Sequence, residues 1–511
     1  MTDGMPTLPK GWVWATLGEV VVRISNGITQ KQNKEKKGLP VTRIETISEG
    51  NINLQKVGFL DSVPYEMIEK SKLHPGDILF SNINSDPHLG KTAVFRTDGF
   101  LLLHGMNLLL VRAEPRIIMP DFLDYIFHYF RATGVFSRIA RHAVNQSSIN
   151  QTTLKALLVP IPPLAEQQRI IHKMEALLQE LTTAKQSLQK VPALVRHFRQ
   201  SVLAKAFRGE LTERDPSDEP AEKLLEITRQ ERRRKWEEKL RAKGKDPRKY
   251  KYSEPEVVDD HNLEKLPEGW KWTSLDSVLE VVQYGTSVKA DSPRSKGVPV
   301  FRMGNIKEGK LDIADLKYMS PQAEDISKYE LKQGDILINR TNSPELVGKC
   351  ALFDLEGAYL FASYLIRLRA ARSVSPMYLT FLMNSRIGRR HIDFVKHQVA
   401  GQSNVNTQDI KSMPIPLAPP QEQLRIAQKL QQTFALADQI EKAVWDGLRS
   451  STILEQAILA KAFRGEMVQQ DPNDEPASVL LERIRAQRAA TGKKGRFQAQ
   501  LELVSPAKTS S

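Results

Sequence analysis

Three short stretches of this 511-residue sequence carry residue types that could do chemistry. Gly90-Lys91-Thr92 has the ending of a P-loop, in which glycine-rich backbone cradles phosphate and an earlier glycine lets the chain wrap it. The position for that glycine is Ser85, and the corresponding second stretch reads Gly348-Lys349-Cys350, so nucleotide binding is rejected. Glu237-Glu238-Lys239 supplies the Glu-x-Lys of a nuclease site, but it lies in a charged helical segment without a matching Pro-Asp strand. The Asn/Asp-Pro-Pro-aromatic loop with which an amino-methyltransferase holds a flipped adenine is missing. So are a His-Glu-x-x-His metal helix and a nucleophile elbow. The ten histidines show no ligand spacing, and the single cysteine, Cys350, excludes a disulfide framework and a Cys-based zinc cluster. No catalytic residue and no metal ligand is expected on this chain.

Charge points elsewhere. Lys and Arg number 74 against 60 acidic residues, a net charge of +14 that favours a polyanion as partner. Ser/Asn clusters at Asn145-Gln146-Ser147-Ser148-Ile149-Asn150 and Gly401-Gln402-Ser403-Asn404-Val405-Asn406 favour turns and helix caps, and equally suit contact with a nucleic-acid backbone. Low cysteine usage fits a reducing cytoplasm, and residues 1–10 lack the layout of a signal peptide. The most apolar run, residues 100–111, is too short to span a bilayer and is read as buried strand.

The elements that position these residues occur twice. Leu203-Ala204-Lys205-Ala206-Phe207-Arg208-Gly209-Glu210 returns unchanged 256 residues later as Leu459-Ala460-Lys461-Ala462-Phe463-Arg464-Gly465-Glu466, and each copy is followed by an acidic, proline-bearing segment. A period this long implies that each half is a globular domain plus a helix. Framework segments match between the halves: Gly11-Trp12-Val13-Trp14 with Gly269-Trp270-Lys271-Trp272, and Gly76-Asp77-Ile78-Leu79 with Gly334-Asp335-Ile336-Leu337. The polar loops between them diverge, as expected of one scaffold carrying two recognition surfaces.

Residues 120–142 and 376–397 read as helices, with Phe122, Tyr125, Ile126, Tyr129 and Phe130 forming a core stripe. Prolines near 160 and 414 end each globular domain. Beyond the first, Ile170, Met174, Leu177, Leu181, Leu188, Val195 and Phe198 recur at four- and three-residue steps, a coiled-coil seam. Ile426, Leu430, Ile440, Val444, Leu454 and Ile458 repeat it beyond the second. A rod with an apolar stripe needs a partner, and antiparallel packing of the two would relate the halves by a pseudo-twofold axis. Pro192 predicts a kink or break in the first helix. A charged helix is expected at 221–242, either solvated or engaged with phosphate or a subunit, and a disordered tail after Thr491.

Together these motifs resemble the specificity subunit of a Type I restriction–modification enzyme over nearly the whole chain. The resemblance rests on Gly-Trp-x-Trp-x-x-Leu at each domain start and on the Gly-Asp-Ile-Leu strand. It rests further on Pro-Ile-Pro followed by Glu-Gln-x-x-Ile (Pro160-Ile161-Pro162 with Glu166, Gln167 and Ile170; Pro414-Ile415-Pro416 with Glu422, Gln423 and Ile426) and on the Ala-Phe-Arg-Gly-Glu helix end. It implies an α+β chain of two globular target-recognition domains of mixed α/β structure, separated by two long antiparallel coiled-coil helices, with internal pseudo-twofold duplication. The corresponding boundaries are 1–159 and 266–413 for the recognition domains and 160–210 and 414–466 for the spacer helices. Residues 211–265 are the charged linker, and 467–511 a C-terminal helix and flexible tail.

The resemblance further implies that each domain reads one half of a bipartite, asymmetric site on double-stranded DNA. The helices would set the gap and dock two modification subunits, which methylate adenine using S-adenosylmethionine. Restriction subunits that consume ATP with Mg2+ would join them, leaving no cofactor on this chain. Residues in the divergent loops would then meet phosphates and base edges: Lys31, Gln32, Asn33, Lys34, Lys36, Asn82 and Asn84 in the first domain, and Lys289, Arg294, Lys296, Arg340 and Asn342 in the second. The residues alone leave open a duplicated coiled-coil scaffold that binds RNA or protein partners.

Overall fold

The computed structural model describes residues 7–504 apart from 34, 36, 49, 145, 292, 295, 296, 321, 322 and 400. The chain divides into two compact units, Met1–Gln189 with Trp445–Ser511, and Lys190–Val444. These boundaries differ from the sequence-based ones. Each unit takes one globular domain together with parts of both long helices, Leu164–Phe207 and Pro420–Phe463, each of 44 residues.

Both globular domains are built around the same antiparallel four-stranded sheet. Its order is Val21–Asn26, Leu109–Ala113, Asp77–Phe80, Thr92–Val94 in the first unit, and Leu279–Tyr284, Leu365–Ala370, Asp335–Asn339, Cys350–Leu352 in the second. The aspartate of each Gly-Asp-Ile-Leu motif explains its presence. Asp77, nearly fully buried, takes Arg112 on the neighbouring strand as a two-pronged pair at 2.6 and 2.7 Å, and Asp335 takes Arg369 at the same distances. A buried carboxylate is tolerated only with such partners, and here each pair pins strand register. The apolar run at 100–111 becomes strand only from Leu109, although Leu102, Leu103 and Leu108 are buried as expected.

The repeated motifs converge on one joint in each unit. The entry strand Val13–Thr16 pairs antiparallel with Leu158–Ile161, which leads into the first long helix; Lys271–Ser274 pairs likewise with Pro414–Leu417. Trp12 donates its indole N–H to Glu166 at 3.1 Å, and Trp270 to Glu422 at 2.9 Å. Burial pushes the Glu166 carboxyl up, while the Trp12 hydrogen bond opposes that rise. Buried Gln167 accepts from the Met119 amide and donates to the Ile117 and Pro162 carbonyls, so the Glu-Gln pair fastens helix to domain. Gln423 does the same with Ser375 and Ala418.

The helix end that completes each joint comes from the other sequence repeat. In the first unit Phe463 packs against Phe122 and Tyr129 at ring separations of 5.6 and 5.2 Å, Gly465 turns at φ 69° against Pro9, and Arg169 binds Asp474 at 2.6 Å. In the second, Phe207 packs on Tyr378 at 5.4 Å, Gly209 turns at φ 74° against Pro267, and Arg425 binds Asp218. Each following helix closes back on the domain entry, with Ala477 N–H on the Gly11 carbonyl and Ala221 N–H on the Gly269 carbonyl, both at 2.9 Å. The charged helix Ala221–Ala242 is therefore not fully solvated: buried Leu224 faces the core and Arg232 reaches Asp276.

Within each unit the long helices run antiparallel. Lys185 pairs with Glu455 at 2.5 Å in the first, and Arg199 with Asp438 and Glu441 at 2.7 and 3.0 Å in the second. Ile170, Met174, Leu181, Val195, Ile426, Leu430, Val444 and Ile458 are buried, and Leu177 and Leu188 partly so. Phe198, Ile440 and Leu454 are exposed, contrary to the heptad count. Small or polar residues take the contact line instead, with Ala437 and Ser451 buried, Gly447 facing Leu188, and Arg199 lying over the Phe434 ring; counting apolar residues does not register them.

Three further expectations are corrected. The first long helix is continuous through Pro192, so the expected break does not occur there. The 120–142 segment is two helices, Pro120–Ala132 and Val135–Ile139, separated at Gly134 with φ 73°, and then a strand; the second copy breaks at Ser385. The last helix, Ala477–Val504, continues past Thr491, where Ala, Gln, Arg and Leu favour helix; residues 505–511 lie outside the described residues.

The exchange of helix ends has a testable consequence. Phe463→Ala should destabilise the first domain by about 3–5 kcal/mol, although Phe463 belongs to the second sequence repeat. Amide hydrogen exchange should accelerate within residues 12–161 and stay unchanged within 270–417; the reverse pattern would contradict the joint.

Candidate nucleic-acid interface

Two polar surfaces in each domain collect the expected DNA-contacting residues. The first is the loop after the entry strands. Lys31 is exposed there. Gln32 accepts from Arg43, and Asn33 donates to the Lys37 carbonyl and to Asp61 at 2.6 and 2.7 Å, so both amides hold the loop's own shape. In the second unit Lys289 is exposed and paired with Asp291 at 3.1 Å. Arg294, also exposed, borders a 570 Å³ hollow with Tyr318 and Tyr359. Lys34, Lys36 and Lys296 lie outside the described residues.

The second surface is a three-stranded sheet. Its order is Ile83–Asn84, Gln146–Ser148, Arg141–Ala143 in one unit, and Thr341–Asn342, Gln402–Asn404, His397–Val399 in the other. The expected loop residues Asn84 and Asn342 are thus strand residues with committed side chains. Asn84 donates to Ser81 Oγ at 3.1 Å and accepts from the Ser85 amide, while Asn342 accepts from the Ser343 amide at 2.8 Å. Asn82 is buried and donates to the Ile149 carbonyl at 3.3 Å. Arg340 stacks over Tyr284 at 4.6 Å. Amides engaged with their own backbone are poor readers of base edges.

Sequence reasoning missed the ribbon formed by the last two strands of this sheet, because helical periodicity was carried to His142 and His397. The signals against helix were Gly134 and, in the second copy, Gly401 at φ 82° in the turn. The chain at the ribbon's base is basic. Residues 131–148 hold Arg131, Arg138 and Arg141 with no acid, and 386–404 hold four Lys/Arg against Asp393. Arg131 and Arg389 each bind a carbonyl of the loop after the edge strand. Partial burial, with the Arg131 charge nearby, lowers the Lys91 ammonium below its ordinary value.

The catalytic motifs do not assemble. Thr92 opens a strand rather than a helix, Gly90 packs against the Phe136 ring and Lys91 holds the Ser48 carbonyl, which is not a phosphate cradle. Cys350 is buried, its thiol pushed up to about 12 by burial, and is no nucleophile. Among the described residues Asp259, Asp260 and His261 lie within ligating distance of one another, but all three are exposed and His261 is hydrogen bonded to Asp259 at 2.7 Å. No described helix is long and apolar enough to cross a membrane.

This duplicated architecture has close counterparts. The Type I restriction modification DNA specificity domain matches residues 9–193 and 267–448. The specificity subunit of the Type I restriction enzyme EcoKI from Escherichia coli K12 is 29% identical over 509 residues, covering 95% of this chain and 97% of that protein. The StySPI specificity subunit of Salmonella potsdam is 28% identical with the same two coverages. Among solved structures, one describing complex assembly and conformational transition of the type I R-M system aligns at TM-score 0.64 and 21% identity, covering 90% of this chain and 100% of that one. The HsdS subunit from Thermoanaerobacter tengcongensis aligns at TM-score 0.54 and 20% identity over 91% of this chain and 100% of its own. The chain belongs to the family of Type I restriction–modification DNA specificity domains, carries that domain twice, and is a Type I specificity subunit. Membership leaves the RNA- or protein-binding scaffold reading unsupported.

Because Asn82 is tied into the sheet, Asn82→Ala should lower stability by about 1 kcal/mol in thermal unfolding without altering sequence preference. Altered base preference at unchanged stability would show that Asn82 reads DNA.

Proposed function

We propose that each globular domain reads one half of a split, asymmetric site on double-stranded DNA, and that the two 44-residue helices, each about 66 Å long, set the unread gap. The observation that carries this reading is one scaffold present twice, with the same sheet order and the same buried Asp–Arg pair, but different residues on its polar surfaces. Equal frames with unequal surfaces suit two different half-sites. Phosphate contacts from exposed residues such as Lys31 and Arg294 position each domain, and base contacts specify.

The chain itself performs no chemistry in this reading. Methyl transfer from S-adenosylmethionine to adenine, and ATP- and Mg2+-dependent cleavage, belong to two modification subunits and to restriction subunits in the cytoplasm. Exposed apolar side chains on the long helices favour a helical partner there: Leu194 with Phe198 and Leu436 with Ile440 sit four residues apart in one unit, and Trp445, Ile453 and Leu454 are exposed in the other. Such side chains in water mark an interaction surface.

Two measurements test the reading. Affinity of the assembled complex for its site should fall on the order of 10³–10⁵ between 50 and 200 mM salt if roughly 6–10 phosphates are contacted; salt-insensitive binding would contradict it. The double substitution Leu194→Glu with Phe198→Glu should abolish co-purification of a modification subunit while leaving thermal unfolding of the free chain within about 1 °C, since exposed substitutions seldom move stability by much. Unimpaired co-purification would remove that face as the docking site.

A further inference from the structure

We propose that the exposed β-ribbon of each domain, formed by strands Arg141–Ala143 and Gln146–Ser148 in the first and His397–Val399 and Gln402–Asn404 in the second, enters the DNA groove and that Gln146 and Gln402 are base-reading residues. The inference rests on the DNA-reading function above and names the element and side chains that carry it.

Strand alternation divides each ribbon into two faces. In the first domain Ser147 lies opposite His142. Ser147 is buried and donates to Asp86, and His142 is bonded to Ser147 at 2.9 Å and to the Ser137 carbonyl at 2.9 Å. That face is fastened to the domain. The other face carries Arg141 opposite Ser148 and Gln146 opposite Ala143, and Arg141 and Gln146 are exposed. In the second ribbon Ser403 is fully buried opposite the exposed Gln398, while Gln402 and His397, the latter 4.0 Å from the Asp409 carboxylate, are exposed on the other face. No side-chain hydrogen bond holds Gln146 or Gln402 among the described residues, unlike the other amides singled out above.

Three features aim this face at DNA. Three residues per strand make a ribbon about 10 Å long, and the major groove, about 12 Å wide and 8.5 Å deep, admits a two-stranded ribbon. Val144, 92% exposed, places the first tip clear of the domain body. The flanking chain is basic, which favours phosphates on either side of the groove. Gln matches adenine through paired bonds to N6 and N7, so one adenine-reading position is expected in each half-site. The neighbouring residue differs, Arg141 in one ribbon and His397 in the other, which makes the two half-sites differ beside that adenine.

The test uses the full chain assembled with its modification subunits. The wild-type complex first selects its site from a random duplex library, and binding is then measured on every single-base variant of that site. Gln146→Ala should lose roughly 5- to 100-fold discrimination at one position of one half-site, and Gln402→Ala at one position of the other, as a paired amide contact implies. Arg141→His should alter preference beside the first position only. Undiminished discrimination by both Gln variants, or an equal loss on all sequences, would overturn the ribbon as reader while the split-site function stood. A wild-type complex that selects no sequence would overturn both.

Discussion

The joint between long helix and globular domain is the constraint on which the rest of the structure depends. Trp12 on Glu166, Gln167 on the Ile117 carbonyl and Phe463 against Phe122 bring residues from opposite ends of the sequence into one buried cluster. Trp270, Gln423 and Phe207 do the same in the second unit. Since the phenylalanine of each cluster is donated by the other repeat, neither repeat can finish its own domain. Each domain core is therefore completed by a helix end from the other repeat, and the identity of the two eight-residue helix ends fits this: both meet an entry strand and a Pro-x-Gly turn of the same shape.

A frame fixed in this way frees the surface. Asp77 with Arg112, and Asp335 with Arg369, lock the central sheets through partnered buried charges, so residues that face solvent can change without loss of fold. The sheet that carries the ribbons shows the division at the scale of single residues. Ser147 and Ser403 stay buried and identical, while Arg141 is replaced by His397 on the opposite face. A subunit of this family must change what it reads while keeping what holds it together, and strand alternation supplies both within one ribbon.

Much of this was legible in the sequence. The repeat, the long helices and the charged helix at 221–242 follow from periodicity and identity, which are local signals. The ribbons were not legible, because three-residue strands following a helix carry too little period to register, and Ser/Asn clusters serve caps and strands alike. Asn82 and Asn84 looked like readers because their type suits base edges; only three-dimensional partners reveal that their amides are spent on the protein. The seam at Phe198, Ile440 and Leu454 failed for a related reason, since alanine, serine and arginine made the close contacts that an apolar count assigns to larger residues. Pro192 lies inside a continuous helix although its local propensity is to end one.

The most direct measurement of the central claim is a genome-wide map of methylated adenine in the source cell, with this chain intact and with it deleted. A two-part reader predicts a split motif with unlike halves that is methylated in the first case and unmethylated in the second. A motif that stays methylated after deletion, or one whose halves form a perfect palindrome, would contradict it.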